Sequence, residues 1–443
     1  MSKMKYSGVE WIGDIPNEWE INKLKNCTKE ISSGGTPESS NNDYYDDING
    51  IPWVAIGDMS NNIMVNDTVK KITESGIKSK RLKVYPKGTL LYSIFATIGK
   101  TSLLNIDATI NQAILAIIPN NLVNKLYLKY QLNAMEEYVI VDCSTNTQSN
   151  LNSTKVKNFI IALPKIKEQE LIANFLDNKV NELDEVLNDL NKQVEILNNY
   201  KKSIITEKVT KGLNTKIKYK DSGVDWIRCI PEHWYVKLIK NICTLKGRIG
   251  WEGLTKDEYK SEGPTLITGI NFNNGSIDWD SCEHVSEWRF NQDKSIQIKD
   301  KDLLITKDGT VGKVALVNNC PNQVTLNSGV LLLRPIFNDY IEKYLYYVLL
   351  SNEFWHWFEI ENIGNTTIIH LYQNRFAKFK LALPPLDEQK EIVEYLDKKC
   401  DQIDKIIEDK QKQIEKIEEY KKSVIYEYVT GKKRVEGAEE LYG

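Results

Sequence analysis

Leu163-Pro164-Lys165-Ile166-Lys167-Glu168-Gln169 opens a run that reaches Lys211 without a glycine or proline. The same device returns as Leu383-Pro384-Pro385-Leu386-Asp387-Glu388-Gln389, ahead of a run that reaches Thr430. Inside the first run apolar residues stand at Leu176, Val180, Leu183, Leu187, Leu190, Val194, Leu197 and Ile204, in steps of four and three around Lys201. The second run repeats the pattern with Leu396, Cys400, Ile403, Ile407, Ile414, Ile417 and Val424, around Lys410 and Lys421. Heptad spacing of this kind puts one apolar stripe along a helix. At roughly 40 residues each, such helices are about 60 Å long. A seam that merely packed on its own globular domain would rarely need to be so long or so regular. The pattern therefore predicts an antiparallel intramolecular coiled coil, with globular domains at its opposite ends.

Working outward, the rest of the chain is duplicated too. Ser7-Gly8-Val9-Glu10-Trp11-Ile12 recurs as Ser222-Gly223-Val224-Asp225-Trp226-Ile227, and Ile15-Pro16 and Trp19 recur as Ile230-Pro231 and Trp234. Leu90-Leu91 and Gly99-Lys100 match Leu303-Leu304 and Gly312-Lys313. Tyr200-Lys201-Lys202-Ser203 and Val209-Thr210 match Tyr420-Lys421-Lys422-Ser423 and Val429-Thr430. The expected organisation is a first globular head at 1–165, a helix at 166–212, a second head at 213–385, a helix at 386–430 and a tail at 431–443. Within the heads, β-branched and aromatic runs predict strands at 51–56, 89–95, 113–118, 265–267, 302–306 and 329–333. Helical spacing predicts helices at 125–138 and 340–358. The fold class is α+β, two mixed α/β heads with two long antiparallel helices.

Composition bounds what the chain can be. Over 443 residues, 41% hydrophobic and 27% charged residues describe an ordinary globular protein. No run is long and apolar enough for a transmembrane helix, and residues 1–16 lack the apolar stretch of a secretory signal. Seven scattered cysteines with no C-x-x-C pair fit reduced thiols in a cytoplasm. The net charge of −3 does not advertise nucleic-acid binding. Residues 1–165 nevertheless hold 18 Lys and Arg against 16 Asp and Glu, and residues 216–385 hold 21 against 20. The acidic excess sits in the helical segments, where residues 386–443 hold 12 against 16. The heads are near neutral, so any DNA contact must be local.

Catalytic signatures are missing. Ile98-Gly99-Lys100-Thr101 resembles the end of a phosphate-binding loop, but Ile94 stands where the first glycine is required. The second copy has Lys307 at that place and Val314 where Ser or Thr belongs. There is no H-E-x-x-H, no G-x-S-x-G and no methyltransferase cofactor loop or Asn/Asp-Pro-Pro-aromatic tetrad. These absences point to a binder and leave no residue to nominate as catalytic or metal-ligating.

Loops rich in Gly, Lys, Asn, Gln and Thr cluster near the predicted strand ends. Arg and Lys can fork onto guanine, Asn and Gln can pair with adenine, and backbone amides of glycine turns can hold phosphates. Such loops are also ordinary solvated turns. The informative feature is the difference between copies: Ser32-Ser33-Gly34-Gly35-Thr36-Pro37 in one faces Gly247-Arg248-Ile249-Gly250-Trp251 in the other. The candidates for DNA contact are Ser33, Gly34, Gly35, Thr36, Arg81, Thr97, Lys100, Asn111 and Gln112 in the first head. In the second they are Arg248, Trp251, Lys307, Asp308, Lys313, Asn327, His370 and Tyr372. Trp11, Trp19, Trp226 and Trp234 read as core anchors, since both copies keep them beside a shared Ile-Pro.

Over nearly its full length the chain resembles the specificity subunit of type I restriction–modification enzymes. The matching pieces are the S-G-V-E-W-I-G-D-I-P leader, S-S-G-G-T-P, S-I-F-A-T-I-G-K with T-I-N-Q, K-G-R-I-G-W-E-G-L-T, L-I-T-K-D-G-T-V-G-K and, twice, L-P-x-(I/L)-x-E-Q. The resemblance implies two target recognition domains, each reading one part of a split sequence in the major groove of double-stranded DNA. It implies a spacer and docking surface on the two helices, represented by Leu176, Leu183, Leu190, Leu197, Leu396, Ile403, Ile414 and Ile417. It also implies two modification subunits carrying S-adenosylmethionine and methylating adenine, and restriction subunits using ATP and Mg for translocation and cleavage. No cofactor is expected in this chain itself. Two other readings compete: an architectural coiled-coil DNA-binding protein without restriction partners, and a stand-alone nuclease. Neither accounts for two heads with different loops and no carboxylate cluster.

Overall fold

The computed structural model describes residues 3–59, 64–145, 151–248, 254–337, 340–362 and 370–442. They form two compact units, Met1–Leu190 with Lys412–Gly443, and Asn191–Gln411. The fold is α+β, and the long helices are Ile166–Lys211 and Leu386–Val429.

In the first unit a leader hairpin, Met4–Tyr6 against Asp14–Pro16, turns through Gly8 and Gly13, both left-handed (φ 78° and 67°). Glu20–Lys23 then pairs antiparallel with Ile160–Leu163, the strand that leads into the first long helix. Between them lies an antiparallel sheet of Thr28–Ser33, Ile114–Pro119, Leu90–Ser93 and Thr101–Leu104, with Met64–Val65 added in parallel. A smaller sheet joins Thr109–Ile110, Ile51–Val54 and Lys71–Ile72. Ile114 and Ala116 pack into one apolar cluster and Leu115 and Ile117 into another. Both faces of the sheet are covered, which is why its central strand reads as a continuous apolar run rather than an alternation.

The second unit repeats the order. Tyr219–Asp221 pairs with Cys229–Pro231, and Tyr235–Leu238 pairs with Lys380–Leu383. The main sheet runs Cys243–Lys246, Val330–Pro335, Leu303–Thr306, Val314–Leu316, and the smaller one Glu283–His284, Lys260–Ile267, Val324–Leu326. Leu331 and Leu333 face one cluster, Val330 and Leu332 the other. Each helix expected after the sheet proves to be two. Lys125–Ala134 stops at Met135 before Glu136–Thr145, and Glu342–Leu350 stops at Ser351 before Asn352–Glu361. Ser351 is extended (ψ 158°) and its hydroxyl turns back to the Val348 carbonyl at 2.7 Å, which competes with helical propagation.

The Glu-Gln pair of the repeated motif has a defined job in each unit. Trp19, fully buried, donates its indole N–H to Glu168 Oε2 at 3.1 Å, and Trp234 does the same to Glu388 Oε2 at 2.9 Å. Gln169 accepts the Asn124 amide at 2.7 Å and donates to the Leu122 and Pro164 carbonyls, tying the start of the helix Lys125–Ala134 to the long one. Gln389 accepts the Ile341 amide at 2.9 Å and donates to Pro384. The same tryptophans lie under the end of the other long helix. Gly431 (φ 72°) and Gly212 (φ 73°) are left-handed, as expected just past a helix C-terminus. A Cβ on Gly431 would stand 2.4 Å from Pro16 and 3.2 Å from the Trp19 ring, and on Gly212 it would stand 3.1 Å from Trp234. The Tyr127 hydroxyl lies 3.0 Å from the Ala162 carbonyl and 3.2 Å from that of Val429. The Tyr344 hydroxyl lies 3.0 Å from both Ala382 and Val209.

The lysines that interrupt the seams bond across to the opposite helix. In the first unit Lys421 reaches Asp184 at 2.5 Å; in the second Lys201 reaches Asp404 at 2.7 Å and Lys410 reaches Gln193 at 2.5 Å. Rising numbers on one helix meet falling numbers on the other, so the pairing is antiparallel. The tail after Val429 packs on the first head, where Arg434 bonds Glu168 at 3.0 Å and also pairs with Glu18. Burial pushes the Glu168 carboxyl up, and bonds from Tyr442, Arg434 and Trp19 hold it back.

Two substitutions test this joint. Trp19→Phe keeps an aromatic side chain but loses indole volume and removes a donor to a buried carboxylate, and should cost at least about 1–3 kcal/mol. Gly431→Ala adds a left-handed Cβ against Pro16 and should cost at least about 1 kcal/mol. Chemical unfolding of the full chain reads both; midpoints equal to wild type would dismiss the joint as a stabilising contact.

Candidate nucleic-acid interface

A hairpin in each main sheet, Leu90–Ser93 with Thr101–Leu104 in the first head and Leu303–Thr306 with Val314–Leu316 in the second, closes on the same device. In the first head the Ser93 hydroxyl accepts the Lys100 amide at 3.0 Å and donates to the Thr97 carbonyl, while the Gly99 amide reaches the Ser93 carbonyl at 3.1 Å. In the second head the Thr306 hydroxyl accepts the Lys313 amide at 2.9 Å and donates to the Thr310 carbonyl at 2.5 Å. The Gly312 amide reaches the Thr306 carbonyl at 2.9 Å. Gly99 and Gly312 are left-handed (φ 91° and 85°), and a Cβ on either would meet the following helix, at Glu136 (2.9 Å) or Trp355 (2.4 Å). The Gly-Lys pairs that imitate a phosphate-binding loop are therefore the closing residues of β-hairpins, which a nucleotide-binding loop followed by a helix would not be.

A second loop lies against each turn. Ile94 donates its amide to the Ala113 carbonyl at 2.9 Å, and Lys307 to that of Gly329 at 2.8 Å. These loops begin at Asn111 and Asn327, whose amides bond Val54 (3.0 Å) and Ile267 (2.9 Å) and whose side-chain oxygens accept the Ala113 and Ser328 amides. In the first head a third loop joins them. Gly34 packs so closely that a Cβ would lie 1.9 Å from the Ile110 carbonyl oxygen, and the Gly35 amide bonds that carbonyl at 3.0 Å. Thr36 donates to the side-chain oxygen of Gln112. Ser33, Gly34, Gly35, Thr36, Asn111 and Gln112 thus form one surface, beside the turn that holds Thr97. Arg81 is an exposed, left-handed residue at the end of the helix Glu74–Lys80, next to Leu82, which packs on Gly35. Lys100 turns away toward that following helix and pairs with Glu136 at 2.8 Å.

In the second head the turn meets the segment 370–375. The Leu371 amide bonds the Lys307 carbonyl at 3.0 Å, Asp308 pairs with His370, and the Tyr372 ring lies 5.7 Å from that of His370. Arg375 stacks over Tyr372 at 5.2 Å, and Asn327 donates to the Tyr259 hydroxyl at 3.3 Å. Lys313 is exposed. Arg248 departs from its expected role: it is 1% exposed, with Nε on the Leu326 carbonyl at 2.9 Å and a terminal nitrogen on the Thr325 hydroxyl at 3.2 Å. Its guanidinium braces the strand Val324–Leu326 from inside instead of facing outward. Trp251 lies outside the described residues. Sequence reading missed Tyr45, Trp53 and Tyr259: Tyr45 packs edge-on against the buried Trp53 at 6.4 Å, the Trp53 N–H bonds the Gly35 carbonyl at 3.0 Å, and Tyr259 meets Asn327.

Of the seam residues, Leu176, Leu190, Leu396 and Ile403 are buried, and Leu183, Leu197, Ile414 and Ile417 are half-buried. Leu176, Leu197, Leu396 and Ile403 pack into the apolar clusters of their units. Exposed apolar residues on the two long helices include Ile166, Val186 and Tyr420 in the first unit and Ile196, Tyr200, Leu386 and Ile406 in the second.

Residues 16–196 and 231–416 match the family described as type I restriction modification DNA specificity domain. The MjaX type I restriction enzyme specificity subunit of Methanocaldococcus jannaschii is 27% identical over 439 residues, 96% of each chain. The MjaIX specificity subunit of the same organism is 26% identical over 85% of this chain and 89% of its own. A chain from a solved structure on assembly and conformational transition of the type I R-M system aligns over 94% of this chain and 98% of its own. The TM-score is 0.67 and the identity 14%, a likeness of fold.

Arg248→Met separates bracing from contact. Loss of the guanidinium leaves a buried carbonyl and hydroxyl short of a donor, so the unfolding midpoint should fall by the equivalent of about 1–3 kcal/mol. Unchanged stability would return Arg248 to the outward-facing set.

Proposed function

The chain belongs to the type I restriction modification DNA specificity family, and from that footing we infer that it is the DNA-reading subunit of a restriction–modification complex. Each head reads one half of a two-part asymmetric target in double-stranded DNA. The observation that carries this is the pair of equivalent turns: the same hydroxyl and glycine closures hold different residues in the two heads. A frame kept constant under changed contents suits two readers of two sequences. Methylation of adenine, with S-adenosylmethionine, belongs to two modification subunits, and ATP- and Mg-dependent cleavage to restriction subunits. The chain itself contributes recognition and no catalytic group. The near-neutral heads leave much of the phosphate grip to those partners, since affinity for a DNA backbone follows the number of cations that meet it. No helix among the described residues is long and apolar enough to cross a membrane, and we place the complex in the cytoplasm.

The deciding experiment mixes purified chain, modification partners and S-adenosylmethionine with DNA of varied sequence. One split motif should become methylated, and the chain alone should methylate nothing. Methylation or cleavage by the chain alone, or modification without sequence preference, would overturn the assignment. Within the same assay, Ile196→Lys should weaken assembly with the modification subunits and leave the motif unchanged.

A further inference from the structure

The two clamped turns can be superposed residue by residue through their hydrogen bonds: Ser93 with Thr306, Ile94 with Lys307, Gly99 with Gly312 and Lys100 with Lys313. That fixes Phe95 opposite Asp308 and Ala96 opposite Gly309. We propose that residue 95 in the first head and residue 308 in the second are specificity-determining positions, with Phe95 reading an apolar feature of a base, the thymine methyl group. Asp308 and its partner His370 take a hydrogen-bonding base edge at the matching place. This rests on the DNA-reading function inferred above and names the element that carries it out.

Three observations converge on these positions. First, their backbone is held and their side chains are not dictated by it. The clamp uses one hydroxyl, two carbonyls and two amides, so the residue at 95 or 308 is free to change. Second, Ala96 is left-handed (φ 58°) where the second head has Gly309 (φ 72°). A non-glycine residue there costs roughly 1–2 kcal/mol, and strain of this kind persists where the surroundings over-determine the shape. The turn keeps one shape in both heads even where the sequence opposes it. Third, Phe95 is 40% exposed at the turn, beside Ile94, which is buried in the first core. A lone exposed aromatic is ordinary on a protein surface. Here it occupies the place where the other head presents an acid–imidazole pair, on the surface shared with the Asn111 loop. In the major groove the thymine methyl is the one apolar mark on a base pair, and an aromatic edge can contact it.

The test is selection from a DNA library randomised over both halves of the target, using the full chain assembled with its modification partners. Wild type, Phe95→Ala, Phe95→Leu and the double variant Phe95→Asp/Ala96→Gly are compared. The proposal expects the preference at one or two adjacent positions of a single half-site, thymine-containing in wild type, to fall at least tenfold in Phe95→Ala and to be replaced in the double variant. Phe95→Leu should retain it in part, and the other half-site should stay the same. Asp308→Ala should alter only that other half. An unchanged selected sequence, or a change in both halves, overturns the proposal. Should the double variant fail to fold, Phe95→Ala and Phe95→Leu are judged by the same criteria. If wild type selects no split sequence, the DNA-reading assignment itself fails, an outcome distinct from either of these.

Discussion

The architecture of each unit turns on one hydrogen bond, buried in the first and part-buried in the second, from an indole N–H to a carboxylate near the start of a long helix. Trp19 and Glu168 make it in the first unit, Trp234 and Glu388 in the second. In the first unit the carboxylate is out of water and must be matched by donors; in both units the indole also fills the space beneath a left-handed glycine that ends the other helix. Three pieces of chain distant in sequence are thereby made to meet at one ring: the leader, the beginning of one helix and the end of the other. The two units solve the remaining charge differently. Glu168 is met by Arg434 from the tail, whereas Glu388 is met by His233 at 2.5 Å from the leader. The position of Glu18, bridged through Arg434, is the one His233 occupies in the second copy.

The helices carry the second constraint. A seam of leucines and isoleucines alone would pair in several registers with similar energy. Each lysine in the seam has one acceptor that suits it, Asp184, Asp404 or Gln193, and a shifted pairing would leave the ammonium against apolar side chains. Polar groups at seam positions reduce stability relative to a hydrophobic residue and in exchange fix register and direction. What looked in the sequence like three defects in two heptad runs is therefore the part of the pattern that makes the pairing unique.

The sequence showed the duplication, the long helices, the central strands and the role of Trp19 and Trp234, because each of these is a local regularity or a motif present twice. It was silent where tertiary contacts decide. The helix expected at 340–358 breaks at Ser351 because of a side-chain bond that no periodicity records. Lys100 and Arg248 both carry the charge expected of a DNA contact, yet one is paired with Glu136 on a neighbouring helix and the other is buried beneath a strand. Residue type alone does not distinguish an outward guanidinium from an internal brace. Tyr45, Trp53 and Tyr259 escaped notice for the converse reason: nothing in their local sequence marks them, and they reach the loops only through the fold.

The same distinction explains how the heads can diverge without unfolding. At the clamped turns, the atoms common to both copies are a hydroxyl and main-chain groups, and Ser93 is exchanged for Thr306 with the hydrogen bonds intact. The glycines at 99 and 312 are fixed by different neighbours, Glu136 in one head and Trp355 in the other. The requirement for glycine is thus conserved although the residue enforcing it is not. Core strands cannot be varied so freely, because Leu90, Leu115, Leu303 and Leu331 each fill defined volumes on a covered face. Variation is confined to side chains that leave both the clamp and the core alone. In the turns those are the residues at 95, 97, 308 and 310, whose side chains can change without opposing the fold, whereas 96 and 309 are held by their left-handed backbone.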